Sequence, residues 1–349
     1  MTEQLITMIE SISEPVAWAI VHSLWQGVGI AGLLAIGLFL LRRRSALVRY
    51  ALSCGAMLLA LVMFVSTAKY MVSTTAPARS SAQQERTLSV ATETGARPSV
   101  ISSVPLAGGP ISPGPVVESL KSGLPYLSHI WAVCVILLSL YHLSGWSKAR
   151  ALAHQSTTEL DGSWEARFAR LCTDLGVTGY VRLAESTLAR VPCVVGWLRP
   201  VILMPASMLT GLTTAQLEMI LAHELAHIRR HDVLINYIQT VIETLMFFNP
   251  AVWWISHQIR QERENCCDDF AVRVRGSRLT LAKALTDMEE LKMRPSLSVA
   301  AGGGSLSKRV RRLVGLPPEA RRLPRIGAAT LFTLAMVISM ALSPVGPWT

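Results

Sequence analysis

Four long apolar runs dominate the pattern of hydrophobic and polar positions along the chain. They cover residues 17–41, 51–72, 126–146 and 326–345. Each matches or exceeds the roughly 20 residues that a helix needs to cross about 30 Å of hydrocarbon. The pattern therefore predicts an α-helical membrane protein with four transmembrane helices.

Basic residues flank these runs on one side of the expected membrane. Arg42–Arg44 follow the first run, Lys148 and Arg150 follow the third, and Arg321–Arg325 precede the fourth. Cytoplasmic flanks carry an excess of Lys and Arg, so these segments are expected in the cytoplasm. The acidic first 16 residues lack the positive start of a secretory signal.

This orientation divides the chain into five parts. Residues 73–125 are rich in Ser, Thr, Pro, Ala and Gly, a composition that is typical of a flexible loop. The parts are an N-terminal transmembrane hairpin (1–72), an extracytoplasmic flexible loop (73–125), a third transmembrane helix (126–146), a cytoplasmic domain (147–325) and a C-terminal transmembrane helix (326–349).

A further apolar stretch, 233–257, lies inside the predicted cytoplasmic domain. It carries Asn236, Gln239 and Glu243, and Asn249-Pro250 breaks it near its middle, since proline disfavours helix for the preceding residue. These features favour a helical hairpin in the membrane interface, with the aromatic residues of 247–254 at the headgroup level. A fifth span is the alternative.

The rest of the cytoplasmic domain has a mixed α+β pattern. An amphipathic helix is predicted at 163–177, followed by strands at 180–186 and 194–205. Pro200 restricts the second strand to an edge or a bulge. A helix follows over LTTAQLEMILAHELAHIRR, where Thr213 and Gln216 have the spacing of a capping box.

Charge and cysteine usage narrow the classes of function. The net charge of +10 would suit nucleic acid, but the chain has no nucleic-acid motif and no interleaving of aromatic and basic residues. No direct nucleic-acid binding is therefore expected, because the basic flanks of the spans account for the charge. The six cysteines show no disulfide framework, which favours reduced thiols.

The motif His-Glu-x-x-His occupies residues 223–227 of the predicted helix. Side chains four apart leave the same face, so His223 and His227 can reach one Zn²⁺ at about 2.0–2.1 Å. Glu224 can act as general base on a water that the zinc activates. A chance motif with two solvent-facing histidines is the alternative.

A catalytic zinc needs a third protein ligand. His231 is the next histidine, but no glycine separates it from His227, so the chain cannot turn it back onto the ion. Glu264 and Asp268 are four apart, and one can bind zinc while the other orients a ligand histidine. Glu264 is favoured as the ligand, Glu262 is the competing carboxylate, and an exposed helix of ion pairs is the further alternative.

These motifs together resemble the integral-membrane zinc metallopeptidases of the BlaR/MecR antirepressor type. The resemblance extends from the first span to about residue 315. The matching segments are HSLWQG (22–27), VPCVVGWLRPVILMP (191–205), LAHELAHIRRHD (221–232), FFNPAVWW (247–254), QERENCCDDFAV (261–272) and, more weakly, SLSKRVRRLVG (305–315).

The resemblance implies a gluzincin-like (HExxH) α+β metallopeptidase domain inserted among the spans of a bacterial-type inner (plasma) membrane. It implies His223, His227 and Glu264 as ligands of Zn²⁺, with Glu224 as the base, and suggests Asp268 as an orienting residue. Best-known members carry a penicillin-binding sensor after the last span, whereas this sequence ends at Thr349. No such sensor is therefore expected here.

In proteases of this kind an edge strand pairs with the extended substrate. The resemblance makes Val195, Gly196, Trp197 and Leu198 the candidates for this strand. An edge strand without such a role is the alternative.

The implied function is regulated limited proteolysis of a cytoplasmic protein in signal transduction. The expected partners are the lipid bilayer, a protein or peptide substrate for which a transcriptional repressor is one candidate, and a separate sensor protein. The alternatives are a non-catalytic membrane signalling scaffold and a broad quality-control membrane protease. The complete set of ligands and base argues against the scaffold.

Overall fold

The computed structural model describes residues 2–93, 115–155, 162–293 and 303–316. Within these ranges the chain is mainly helical and contains one three-stranded sheet. The helices are α1 (Thr2–Leu40), α2 (Ala46–Glu93), α3 (Pro115–Gln155), α4 (Gly162–Asp174), α5 (Ala206–Gly211), α6 (Thr214–Arg229), α7 (Asp232–Leu245), α8 (Pro250–Arg275), α9 (Arg278–Met293) and α10 (Gly303–Val314). The strands are β1 (Arg182–Ser186), β2 (Cys193–Val195) and β3 (Val201–Pro205).

Three of the described helices are long and apolar enough to cross a membrane. They contain the candidate spans Ile12–Leu40 in α1, Ala46–Ser73 in α2 and Tyr126–Ala151 in α3. The second and third apolar runs of the sequence fall within these helices, and the first, 17–41, extends one residue past the end of α1. The fourth predicted span, 326–345, lies outside the described residues.

Helices α2 and α3 extend beyond the apolar runs. α2 continues to Glu93 and α3 begins at Pro115. Parts of the segment 73–125, which was expected to be a flexible loop, are therefore helical. Alanine, glutamine and arginine recur within 76–86 beside Glu85, and these residues favour helix, whereas Pro77 in the same segment disfavours it.

The sheet has the strand order β1-β3-β2. β1 is parallel to β3, with Arg182 opposite Val201, and β2 is antiparallel to β3, with Cys193 opposite Leu203. This order leaves β2 at an edge of the sheet. The prediction of one strand over 194–205 is wrong, because β2 and β3 are separate strands of a hairpin.

A tight turn separates these two strands. Gly196 has φ of 90°, and a Cβ at this position would lie 2.9 Å from the carbonyl oxygen of Arg199. Only glycine tolerates both conditions. Of the four residues expected in the substrate strand, Val195 lies in β2, whereas Gly196, Trp197 and Leu198 lie in the turn.

The apolar stretch 233–257 forms most of α7 and the start of α8, which pack against each other. Asn249 caps α8 by accepting a 3.0 Å hydrogen bond from the backbone of Ala251, and Pro250 occupies the first turn. The helix break therefore falls where the sequence predicts it. Both helices also pack against α6, so the two ends of the stretch return to the same helix.

Helix α6 is embedded in the hydrophobic core of one of two compact units of the chain, which comprises Ala31–Met57 and Leu137–Leu323. Side chains from the sheet, α4 and α9 surround its apolar face. The best buried members of this core include Leu171, Ile202, Leu217, Leu221, Leu225 and Leu281. Such close packing holds the helix, and the histidines that it carries, in one position.

Candidate metal centre

Helix α6 begins at a capping box and carries the histidine motif. The backbone N–H of Gln216 donates to Thr213 Oγ1 at 3.4 Å, and the backbone N–H of Thr213 donates to Gln216 Oε1 at 2.9 Å. The predicted capping box is confirmed. It satisfies two N–H groups that the first helical turn leaves free, and so fixes where the helix begins.

The two histidines of the motif converge with one carboxylate from α8. Their Nε2 atoms lie 3.2 Å apart. Glu264 brings Oε2 to 3.4 Å from His223 Nε2 and Oε1 to 3.8 Å from His227 Nε2. Ligand atoms at about 2.0–2.1 Å from a tetrahedral Zn²⁺ stand about 3.4 Å from one another. The three side chains therefore fit a single zinc ion with one coordination position to spare.

Each histidine has a carboxylate at its other ring nitrogen. His223 Nδ1 lies 3.0 Å from Asp268 Oδ1, and His227 Nδ1 lies 2.9 Å from Asp232 Oδ2. Asp268 is 0% exposed and Asp232 is 3% exposed. The His227–Asp232 contact is a hydrogen bond, whereas His223 and Asp268 are at ion-pair distance without hydrogen-bond alignment. A carboxylate at Nδ1 favours the tautomer that leaves Nε2 for a metal.

The turn after α6 returns Asp232 to His227. His231, between the two helices, adopts a left-handed conformation with φ of 56°. The chain reverses there, and Asp232 becomes the first residue of α7. His231 itself is exposed, in line with the prediction that it does not bind the metal.

Cys267 completes the surroundings of Asp232. Its thiol donates to Asp232 Oδ2 at 3.4 Å, and its Sγ lies 3.3 Å from His227 Nδ1. Burial raises the pKa of the Cys267 thiol well above its usual range, so the group remains a donor. These three side chains are also close enough to hold an ion. However, Asp232 Oδ2 is already engaged by the His227 ring, so we assign the group to the support of His227.

The charges of the site favour ionised carboxylates. Burial alone would raise the pKa of Glu264, but His223, His227 and Arg309 outweigh it and lower this pKa to about 2. The pKa of Asp268 is lowered for the same reason, against burial, by His223 and Arg309. Burial would lower the pKa of His223, whereas Asp268 and Glu264 raise it to about 9. A metal ion that binds at Nε2 would therefore displace a proton.

Glu224, the predicted base, is partly buried beside the edge of the sheet. β2 packs against α6. Burial, with a smaller contribution from the Glu224 carboxylate, raises the pKa of the Cys193 thiol in β2 to about 11. Strand β2, which lies at an edge of the sheet in the described part of the chain, and the predicted base are therefore close neighbours.

Glu262, the competing carboxylate, faces a different helix. Arg49 at the start of α2 donates from Nε to Glu262 Oε1 at 3.0 Å and from Nη2 to Oε2 at 2.8 Å. Asn265 also donates to Oε2, at 3.2 Å. Both carboxylate oxygens are thus engaged, and the geometry favours Glu264 over Glu262 as a metal ligand.

Three residues around the candidate centre received no role in the sequence analysis. They are Asp232, Cys267 and Arg309 in α10, which donates from Nε and Nη2 to the two oxygens of Asp268 at 2.9 and 2.6 Å. All three occur in segments that carry the family resemblance: LAHELAHIRRHD ends at Asp232, QERENCCDDFAV contains Cys267 and SLSKRVRRLVG contains Arg309. These segments were the only signal, because no spacing rule connects any of the three residues to the histidines.

Comparison with known proteins identifies the family. Residues 20–313 match the family described as BlaR1 peptidase M56. The chain belongs to this family. It is therefore a membrane protein of a metallopeptidase family, and its His223, His227 and Glu264 form a group that could hold a metal ion.

Two similar proteins have regulatory or resistance-related names. The "Regulatory protein BlaR1" of Bacillus licheniformis is 30% identical over 170 residues, which cover 47% of this chain and 28% of that protein. The "Methicillin resistance mecR1 protein" of Staphylococcus aureus is 23% identical over 172 residues, which cover 47% of this chain and 29% of that protein. The match thus spans less than a third of either relative.

Proposed function

We propose that the chain is a membrane-embedded, zinc-dependent endopeptidase with a gluzincin-like domain. The observation that carries this proposal is the convergence of His223 Nε2, His227 Nε2 and the Glu264 carboxylate on a volume that suits one ion. Glu224 adjoins the first histidine on the same helix, which is the arrangement that metal-assisted hydrolysis requires. A non-catalytic signalling scaffold would need neither the base Glu224 nor the buried carboxylates of Asp232 and Asp268 beside the histidines.

Bound zinc supplies a Lewis acid that lowers the pKa of a water to about 7. Asp268 and Asp232 lie at Nδ1 of the two histidine rings, which would leave both Nε2 atoms to hold the ion. Glu224 accepts a proton from the attacking water and returns it to the leaving amine as the peptide C–N bond breaks and a C–O bond forms.

The outer edge of β2 is the proposed place where the substrate binds. β3 occupies the other edge of β2, so its remaining backbone groups can pair with an extended peptide. Trp197 and Leu198, in the turn that follows, are 46% and 84% exposed. These side chains offer apolar contacts to a peptide that continues past Val195.

We place the protein in a bacterial inner membrane as a multi-pass protein whose active site faces the cytoplasm. Support comes from the basic residues Arg42–Arg44, Lys148 and Arg150, which lie on the same side in the four-span arrangement. In that arrangement 147–325 is the peptidase domain, and α7 meets the membrane interface. Its exposed Tyr237, Ile238 and Val241 suit this position.

The regulatory name of one relative supports a role in signalling. We propose regulated limited proteolysis of a cytoplasmic protein, with a transcriptional repressor as a candidate substrate and a separate sensor protein as a candidate source of the signal. An edge strand binds a substrate through backbone hydrogen bonds, which any amino-acid sequence of the substrate can form. The choice of substrate would therefore depend on access to the site rather than on side-chain pockets.

Zinc content tests the proposal. We expect about one zinc per chain in the purified protein and in Glu224→Gln, because Glu224 is not a ligand. Glu264→Ala should lose the zinc, whereas Asp269→Asn, which removes a neighbouring carboxylate of α8, should keep it. Glu224→Gln should then capture substrates without cleaving them. A wild-type protein that binds no zinc would refute the peptidase function and leave the non-catalytic scaffold.

A further inference from the structure

Arg309 connects helix α10 to the centre of the proposed zinc site. Its Nε donates to Asp268 Oδ2 at 2.9 Å and its Nη2 donates to Asp268 Oδ1 at 2.6 Å. This two-point contact fixes the plane of the carboxylate as well as its position. Asp268 Oδ1 is the same oxygen that lies 3.0 Å from His223 Nδ1.

The same guanidinium also reaches two of the proposed ligands. Arg309 Nη1 lies 3.2 Å from Glu264 Oε2, and Nη2 lies 3.5 Å from His223 Nε2. One side chain thus contacts a ligand carboxylate, a ligand histidine and the carboxylate that orients this histidine.

Burial raises the cost of leaving the Asp268 carboxylate unpaired. Asp268 is 0% exposed and the side chain of Arg309 is 14% exposed. A buried carboxylate is costly unless it is paired, so Asp268 depends on Arg309 for its charged form as well as for its orientation. A lysine would supply the charge but not the planar fork that engages both oxygens.

We propose that Arg309 is a positioning residue of the metal centre, which orients His223 through Asp268 and restrains Glu264 through its Oε2. The inference rests on the proposed zinc-dependent function. It assigns α10 a role in building the site, so that the site is complete only when α10 is docked on α8 and α9.

Arg309 has two opposing effects on metal affinity. A cation beside the site weakens the binding of Zn²⁺, whereas oriented ligands strengthen it. We expect orientation to dominate, because the charge of the guanidinium is already matched by two carboxylates. Loss of a partner that orients a metal ligand typically lowers metal affinity about 10–100-fold.

Arg312 provides a matched control on the same helix. Its Nη2 donates to the two oxygens of Asp269 at 2.6 and 2.5 Å, so it also joins α10 to α8. This pair is more exposed, with 32% and 38% of the side chains accessible. Asp269 is not part of the ligand cluster. Arg312 Nη1 also donates to the backbone oxygen of Asn265 at 3.4 Å. Replacing Arg312 therefore weakens the docking of α10 while it leaves the contacts of Arg309 with Asp268, Glu264 and His223 in place.

The experiment measures the zinc affinity of the full-length protein in detergent by competition with a chelator. We expect Arg309→Gln to bind zinc about 10–100-fold more weakly than wild type, and Arg312→Gln to stay within about twofold, as for an exposed ion pair. Arg309→Lys should resemble Arg309→Gln, since both lose the fork. The visible absorption of the Co²⁺-loaded protein should change in both Arg309 variants, because it reports ligand geometry and not fold stability.

A double-mutant cycle with Asp268→Asn tests the route of the effect. If Arg309 acts through Asp268, Arg309→Gln should add about threefold or less to the loss already caused by Asp268→Asn. Tighter zinc binding by Arg309→Gln, or unchanged affinity with an unchanged Co²⁺ spectrum, would overturn the inference and leave the peptidase function standing. If Arg309→Gln does not fold, Arg309→Lys decides in the same way. Absence of zinc from the wild-type protein would remove both proposals.

Discussion

Replacing Glu262 by glutamine should destabilise the fold and leave zinc binding intact. The same change at Glu264 should weaken zinc binding and destabilise the fold less. Glu262 forms a two-point ion pair with Arg49, and the two side chains are only 11% and 13% exposed. Breaking a buried ion pair from one side costs about 3–5 kcal/mol, because it leaves an uncompensated charge. At about 2–4 °C per kcal/mol, this corresponds to a fall of roughly 6–20 °C in the melting temperature.

Glu264 differs because it is proposed to bind the ion directly. Glu264→Gln should weaken zinc binding by more than the roughly 100-fold that loss of an orienting partner costs. In the presence of a chelator its melting temperature should fall by less than that of Glu262→Gln, because the side chain is 27% exposed and Arg309 keeps its two-point contact with Asp268. The two variants differ from wild type by the same atoms, which makes each a control for the other.

The assay is thermal unfolding of the detergent-solubilised protein in chelator, combined with a separate zinc titration. The double variant Arg49→Gln/Glu262→Gln should recover much of the lost stability, because neither charge is then left unpaired. If Glu262→Gln lost zinc while Glu264→Gln retained it, the assignment of the third ligand would be reversed. A wild-type melting temperature for Glu262→Gln would show that the pair with Arg49 contributes little.

Three further predictions concern α6 and its neighbours. Asp232→Ala should lower zinc affinity about 10–100-fold, since His227 loses the carboxylate that orients it; unchanged affinity in the chelator competition would contradict the role given to this carboxylate. Thr213→Ala should lower the free energy of unfolding by about 1 kcal/mol, because the helix loses its cap. Thermal unfolding measures this change, and a stability equal to wild type would argue against the capping box. Glu224→Gln should lower the pKa of Cys193 and speed its alkylation. The reactive thiolate becomes more abundant as pH rises towards the Cys193 pKa of about 11. The alkylation rates of wild type and variant are therefore compared well below that pH, by mass spectrometry of the Cys193 peptide. Glu218→Gln, on the same helix, should leave the rate unchanged, and an equal rate in both variants would mean that Glu224 does not face β2.

The sequence could predict the parts of the site that depend on one helix. The capping box at Thr213 and the four-residue spacing of His223 and His227 are local features, and both histidines occupy one face of α6. Glu264 and Asp268 share a face of α8 for the same reason. These predictions need only the helical repeat and the chemistry of zinc.

The remaining parts depend on how the chain turns or packs. Asp232 reaches His227 only because His231 adopts a left-handed conformation, which its residue type does not require. Arg309 reaches Asp268 only because α10 packs onto α8 and α9. The hairpin at Gly196 was missed because the apolar run 194–205 continues through the turn, so the hydrophobic pattern gives no sign that the strand ends.

Helix α8 carries two carboxylates that serve different neighbours, one on α2, which contains a candidate membrane span, and one on α6. Residues two apart on a helix point about 200° away from each other. Glu262 and Glu264 therefore leave opposite sides of α8, one towards Arg49 at the start of α2 and the other towards the histidines of α6. Asp268, one turn further along, lies on the side of Glu264 and is held by Arg309. Helix α8 thus contacts α2 with one face and presents Glu264 to the proposed metal-binding histidines of α6 with the other, so a substitution can affect either contact separately.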